Sequence, residues 1–392
     1  MKATHQETRA HNERLVLATI YDDGPISRAA VARATGLTRT TVSDVVSGLL
    51  DGGLTREIGR GPSTGGKAPI LLEVADDARH LIGIDLGEQV FRGGIVNLRG
   101  QVVASLALPI EGRDGQAAVE RVFELIDGLV ARARRPIVGI GLGTPGLSDT
   151  AVGTVLQAVN LDWRELPLGR LVQQRYEMPA YVANASQAIA LAEYVFGGPR
   201  TSNLIVVKVG HGIGAGIILD GDLFQGDGFG AGEIGHTSVV PDGARCRCGG
   251  HGCLETVAGT SAVIARLGRD SALGGADGSV DQAVIAFRRG EAQARAAVLD
   301  AARYLGVALA GLVGAVNVRR IVLVGTMTAF GDPWLRVVRE AMRTHALALL
   351  AAETNVEIGR LDEDGVVLGA SALLLTHELG LIPLPSAGRW RS

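Results

Sequence analysis

The sequence predicts an α/β protein of two similar lobes, preceded by a small helical module that ends in a β-hairpin. Three observations carry this expectation. A chain of 392 residues exceeds what one hydrophobic core organises and needs two or three domains. From about residue 79, short apolar runs alternate with stretches of helical period, and much of that order recurs after residue 203. Residues 11–50 instead read as three short helices. A hydrophobic content of 47% with 55 glycines fits tight turns around packed layers and excludes a disordered chain.

The first seven residues are polar and lack the apolar stretch of a signal peptide. A helix over 12–21 follows, stopped by Asp22-Asp23-Gly24-Pro25. Ser27 is a natural N-cap for a second helix through Ala34, and Gly36 suits the turn after it. Thr38 caps a third helix whose Val42, Val45, Val46 and Leu49 fall at i, i+3, i+4 and i+7. Its opposite face is short and polar, and Arg39, Thr40, Thr41 and Ser43 are the candidates for contacts in a DNA major groove. Asp44 on that face would repel phosphate unless it accepts from a cytosine amino group. Strands over 54–58 and 70–74 flank a basic loop and make a wing, from which Arg56, Arg60 and Lys67 would reach phosphate. Residues 10–75 therefore read as a winged helix-turn-helix, the alternative being a small bundle for protein contacts. Residues 1–70 hold nine Lys and Arg against seven Asp and Glu, although the net charge is −3.

The large module spans 79–392, with one lobe near 79–198 plus the C-terminal end and another near 199–370. Apolar strands over 81–87, 90–97 and 102–109 form a meander with a turn at Arg99-Gly100. A helix over 117–134 places Val119, Val122, Phe123, Ile126, Leu129 and Val130 on one face, and Pro136 stops it before a buried strand over 137–142. Strands at 203–210, 216–219 and 321–325, with helices over 291–316 and 334–349, repeat the scheme and suggest a cleft for a small ligand. The longest apolar stretches, such as 307–316, are too short to span a membrane.

All three cysteines, Cys246, Cys248 and Cys253, lie within one octapeptide, and His236 precedes them by ten positions. Ligands of that type and spacing read as a closed Cys3His zinc site, one structural ion per chain, rather than three buried thiols beside a core histidine. Reduced cysteines of this kind suit the cytoplasm.

The run Gly210-His211-Gly212-Ile213-Gly214-Ala215-Gly216, then Gly221-Asp222-Leu223, then 226–236 and the CxCGxxGCLE of 246–255, closely resembles the signature of the ROK family of repressors, open reading frames and sugar kinases. The resemblance runs from about Leu81 to Leu379 and implies an actin-like (ribonuclease H-like) two-lobed sugar-kinase fold. It also implies that the zinc site braces a sugar-binding loop. Glu233 and His236 match the ExGH pair and Glu255 the glutamate after GCL, all sugar contacts in relatives; Asn184 matches a sugar-binding asparagine. The kinases place a catalytic aspartate directly after that asparagine, where this chain has Ala185. A methyl group accepts no proton, and general-base help contributes about 10²–10⁴-fold. The phosphate and adenosine motifs depart too: Gln89 replaces the hydroxyl residue that follows Asp85 and Gly87, His211 replaces a small hydroxyl residue, and the adenosine loop reads Val324-Gly325-Thr326-Met327.

The expectation is a non-catalytic, sugar-responsive transcriptional regulator, a repressor, acting on a palindromic double-stranded operator as a homodimer or homotetramer. The alternatives are an ATP-dependent sugar kinase with an accessory DNA-binding domain, or a DNA-binding regulator that answers to a protein partner.

Overall fold

The computed structural model describes residues 5–62, 68–270, 279–361 and 364–382. Two compact units emerge, one running to Ala183 and resuming at Ala370, the other Asn184–Gly369.

The first unit opens with α1 (His5–Asp23), β1 (Ile26–Ser27), α2 (Arg28–Thr35), α3 (Arg39–Asp51), β2 (Thr55–Arg60) and β3 (Ile70–Val74). Both predicted N-caps form: the Ser27 hydroxyl accepts from the Ala30 N–H at 3.3 Å and that of Thr38 from Thr41 at 3.1 Å. Gly36 takes a φ of 70° between α2 and α3, where a side chain would be strained. Val42, Val46 and Leu49 close this core with Val16, Ile20, Val31 and Leu72, while Val45 is only half-buried. The strands lie in the order β1-β3-β2, so three helices are followed by an antiparallel hairpin. The two-residue β1 was not legible in the sequence, because only pairing with Leu71 and Leu72 makes it a strand.

The same unit continues through β4 (His80–Leu86), β5 (Val90–Asn97), β6 (Val102–Pro109), α4 (Gly115–Val130), β7 (Ile137–Thr144), β8 (Leu147–Asp149), β9 (Thr154–Ala158), β10 (Trp163–Leu166), α5 (Leu168–Tyr176) and β11 (Ala180–Asn184). The main sheet has the order β11-β7-β4-β5-β6, and β8 to β10 make a small separate sheet. α4 buries Val119, Val122, Leu125, Ile126 and Leu129 over it. A Cβ at Gly93 would meet Leu129 Cδ1 at 2.5 Å, so the helix sits close on the sheet.

The second unit holds α6 (Ala185–Phe196), β12 (Leu204–Val209), β13 (Ile213–Leu219), β14 (Asp222–Phe224), α7 (Glu255–Ala258), α8 (Thr260–Asp270), α9 (Val280–Arg288), α10 (Ala292–Val316), β15 (Arg320–Val324), α11 (Asp332–His345), α12 (Ala348–Glu353) and β16 (Asn355–Ile358). Its sheet, β14-β13-β12-β15-β16, repeats the first. In each, the first strand of an antiparallel meander (β4 or β12) also pairs in parallel with the strand after the meander (β7 or β15). The duplicated arrangement is the actin-like topology expected for the large module. α10 is 25 residues long and by length and composition could cross a membrane. That corrects the expectation that no apolar run is long enough. Its Ala294, Val298, Ala301, Leu305, Leu309 and Val313 are buried in the core of this unit. The last helix, α13 (Gly365–His377), begins in the second unit and ends in the first.

Candidate metal centre and neighbouring ligand site

His236 ends a single 3-10 turn, Ile234–His236, and the cysteines follow on an irregular loop. That loop is held by bridges pairing Ser238 with Cys253 and Arg245 with His251. Cys246 N–H donates to Gly250 O at 2.8 Å and Gly249 N–H to Cys246 O at 3.0 Å, which curls the CxC segment back on itself. Gly252 has a φ of 63°, and a Cβ there would sit 1.8 Å from Val240 O, so only glycine fits. The result gathers one donor atom from each of His236, Cys246, Cys248 and Cys253 within 4.8 Å of one another. His236 Nδ1 lies 3.6 Å from Cys246 Sγ, and Cys248 Sγ 3.7 Å from Cys253 Sγ. Four such donors could hold a metal ion.

The imidazole faces two ways. Nδ1 belongs to the donor cluster, while Nε2 lies 3.9 Å from Glu233 Oε2. Burial pushes the Glu233 carboxyl above the ordinary glutamate range; His236 opposes that shift and Glu255 reinforces it. Glu255 itself is mostly buried. Its Oε2 accepts from the Ile213 N–H at 3.2 Å, and its Oε1 is 3.9 Å from the Arg247 guanidinium. The structure therefore brings together Glu233, His236 and Glu255. Asn184 lies at the N-cap of α6, where its Oδ1 accepts from Ser186 N–H at 2.7 Å in a capping box with Gln187. A Cβ on Gly214 would meet Ser186 Oγ at 2.4 Å, so the start of α6 lies against β13, next to the residue that Glu255 holds.

Three further segments of the same unit converge. His211 Nδ1 is 2.8 Å from Ser261 Oγ, Thr260 Oγ1 is 2.8 Å from Thr326 Oγ1, and Thr260 N–H donates to Gly210 O at 2.8 Å. Thr260 and Ser261 were not singled out from sequence, and Thr326 was named only as part of the adenosine loop; only the fold joins positions fifty or more residues apart. Arg247 beside Glu255 was likewise missed.

On the winged helix, Arg39, Thr40 and Ser43 are exposed on α3. Thr41 is half-buried, and its hydroxyl lies 2.8 Å from that of Thr38, inside the cap. Arg56 is exposed but pairs with Glu73, its cross-strand neighbour, at 2.7 Å. Arg60 is exposed at the end of β2, and Lys67 lies outside the described residues.

Comparison with known proteins places this geometry among relatives. The model of the ROK family matches residues 81–377. A xylose repressor of Caldicellulosiruptor bescii is 34% identical over 390 residues, covering 96% of this chain and 98% of that protein. The crystal structure of a ROK family transcriptional regulator, a homologue of the Escherichia coli Mlc protein, superposes with a TM-score of 0.82 at 26% identity, covering 96% of this chain and 98% of the other. A ROK family glucokinase from Streptomyces griseus, solved with glucose and AMPPNP, matches with a TM-score of 0.68 at 27% identity. It covers 98% of its own length but only 75% of this chain.

Proposed function

Because this chain belongs to the ROK family, we propose that it is a sugar-responsive, DNA-binding transcriptional repressor whose kinase-like domain binds an effector without phosphorylating it. The observation that carries the reading is Ala185. It is the first residue of α6, directly after the Asn184 cap, where the family's kinases carry their proton acceptor. The full-length likeness to repressors, against partial coverage by the glucokinase, supports the same conclusion.

His236, Cys246, Cys248 and Cys253 would hold one zinc ion. Zinc–sulfur bonds of about 2.3 Å set tetrahedral sulfur pairs about 3.7 Å apart, the spacing of Cys248 and Cys253 here. Four protein ligands leave no open coordination position, so the ion supplies bracing rather than chemistry. The brace fixes the His236 ring, leaving Nε2 and the Glu233 and Glu255 carboxylates to meet sugar hydroxyls, with Asn184 on the adjoining helix. The effector class is a monosaccharide or its derivative. D-xylose is the first to test, given the name of the relative at 34% identity.

Arg39, Thr40 and Ser43 would face base edges in the major groove, with Thr41 supporting the cap and Arg56, Arg60 and Lys67 on the wing at the phosphates. Two such modules in a homodimer would read a palindromic operator. Arg60→Ala is expected to weaken selected and random duplexes alike and to lower the salt slope of binding by about one unit. Loss confined to the selected duplex would make Arg60 a base reader instead.

The reading is tested by selecting a duplex from a random pool with purified protein and measuring its affinity with and without D-xylose and other monosaccharides. A sugar-dependent change of about 5–150-fold is expected, with no ATP-dependent sugar phosphorylation. Robust turnover of any hexose or pentose, or failure to retain any duplex, would defeat it.

A further inference from the structure

The winged helix is fastened to the first sheet of its own unit by a compact polar contact. The β5–β6 turn is built by Asn97, almost wholly buried, whose Oδ1 accepts from the N–H groups of Arg99 and Gln101, both at 3.0 Å. Gly100, with a φ of 79°, completes the turn. From this rigid platform the Arg99 guanidinium reaches the C-terminal turn of α1. Its Nη1 donates to Tyr21 O at 2.8 Å, its Nε to Asp76 Oδ1 at 3.1 Å, and its Cζ stacks 4.2 Å from the centre of the Tyr21 ring. In return the buried Tyr21 hydroxyl donates to Leu98 O at 2.9 Å. Beside it, Arg79 Nη2 donates to Gly52 O, just past the end of α3, at 3.1 Å. Two turns earlier on α1, the stem of Arg14 packs over Gly380, where a Cβ would come within 2.8 Å of it.

We infer that Arg99 locks the DNA-binding module onto the first sheet, so that the two move as one body. The chemistry fits a lock in particular. The last carbonyls of a helix lack intrahelical donors and carry the negative end of its dipole, so a cation from another element caps α1 more firmly than a neutral group would. A planar fork that stacks on an aromatic ring while donating in two directions is an arginine property that lysine cannot copy. Tyr21 and Leu98 are buried, so the stacked and carbonyl-bound side of the guanidinium lies against the core, while the Arg99–Asp76 pair stays partly open to solvent. The regulatory use of this lock rests on the function proposed above: displacement of the sheet by an effector would reach α3 without loss in a loose joint. The lock itself does not depend on that reading.

Trypsin digestion of the full-length, zinc-loaded protein tests it, because the junction carries a cleavage site at Arg79, whose own guanidinium is tied into the contact. Arg99→Ala is expected to speed cleavage after Arg79 by about tenfold, since proteolysis follows the population of the opened form. Cleavage after Arg92 and Arg132, inside the sheet domain, should stay at the wild-type rate. Arg99→Lys should behave nearly as Arg99→Ala does. If Arg99→Ala does not yield soluble protein, Arg99→Met, which keeps the apolar stem, serves the same comparison. An unchanged rate at Arg79 would overturn the proposal. A parallel rise at Arg92 and Arg132 would also overturn it, by showing that Arg99 maintains the sheet rather than the joint.

Discussion

Cys248→Ser is expected to abolish stoichiometric zinc binding and to weaken sugar affinity by at least about tenfold, the scale on which metal-ligand support is felt. The choice of cysteine isolates the cause. Cys246 and Cys253 are buried, so a hydroxyl at either would carry a desolvation cost of its own. Cys248 is exposed, and serine there should be nearly neutral in a protein that holds no metal at this loop. Any large effect therefore reports the ion. Loss of one thiolate removes much of a binding energy that is coupled to ordering of the loop, which has little apolar packing of its own. Its shape rests on short hydrogen bonds around Gly249 and Gly252. The measurements are metal content of the purified variant, thermal unfolding with and without a chelator, and sugar-dependent shifts in the same scans. Full metal occupancy in Cys248→Ser, or a chelator that leaves the wild type unchanged, would remove the metal from the account.

Much of this centre was legible in the sequence because its determinants are local. Ligands spaced by two, five and ten positions on one loop must meet if they ligate at all. The N-caps Ser27 and Thr38 were equally readable, since a cap is a short-range exchange between a hydroxyl and an N–H two or three residues on. Elements buried on every side gave no such signal. α6 buries Ser186 through Glu193 without interruption, polar and apolar alike, and α13 is buried from Val366 to Leu375, so neither shows a stripe of helical period. α10 is the reverse case. A helix over 291–316 was expected and the structure has Ala292–Val316, because its buried positions recur at helical period between exposed ones such as Arg303, whose side chain pairs with that of Asp300 on the outer face. The helix expected over 334–349 breaks where Ala346 turns extended, and α12 begins afresh.

Site residues divide along the same line. Glu233, His236 and Glu255 were found through motifs, whereas the pairing of His211 with Ser261 and of Thr260 with Thr326 depends on β12, β15 and the start of α8 meeting in space. Arg56 shows a limit of reading charge from sequence. A lone arginine on a wing suggests phosphate, but its register partner on β3 is Glu73, and the pair shares its charge before any DNA arrives. The formal excess of positive charge on this module is thus partly neutralised where it was expected to act, leaving exposed Arg60 as the stronger wing contact.

Gly369→Ala is expected to destabilise the protein by about 3 kcal/mol, at the upper end of what overpacking costs, and to remove sugar binding in the fraction that folds. Gly369 lies in α13, and a Cβ there would sit 1.7 Å from Ala188 O and 2.2 Å from its carbonyl carbon. The obstacle is the backbone of α6, not a side chain that could rotate away. One turn earlier, a Cβ on Gly365 would meet the Ile189 side chain at 2.8 Å, so the two helices stay close along this seam too, although that side chain, unlike the Ala188 carbonyl, could give way. To accept alanine, α6 must shift, and α6 carries Asn184 at its cap and Ser186 against β13. A displacement of about 1 Å is enough to spoil a polar site built on rigid elements. Gly311→Ala supplies the control of opposite sign. It too is a helical glycine, but nothing lies within 4 Å of its Cβ position. Removing the backbone freedom of glycine in the exposed face of α10 should stabilise by about 0.5–1 kcal/mol. Thermal unfolding of both variants, with sugar affinity measured on each, decides the matter. If Gly369→Ala unfolds at the wild-type temperature and binds sugar normally, the seam does not position α6, and Asn184 must be held by its capping box alone.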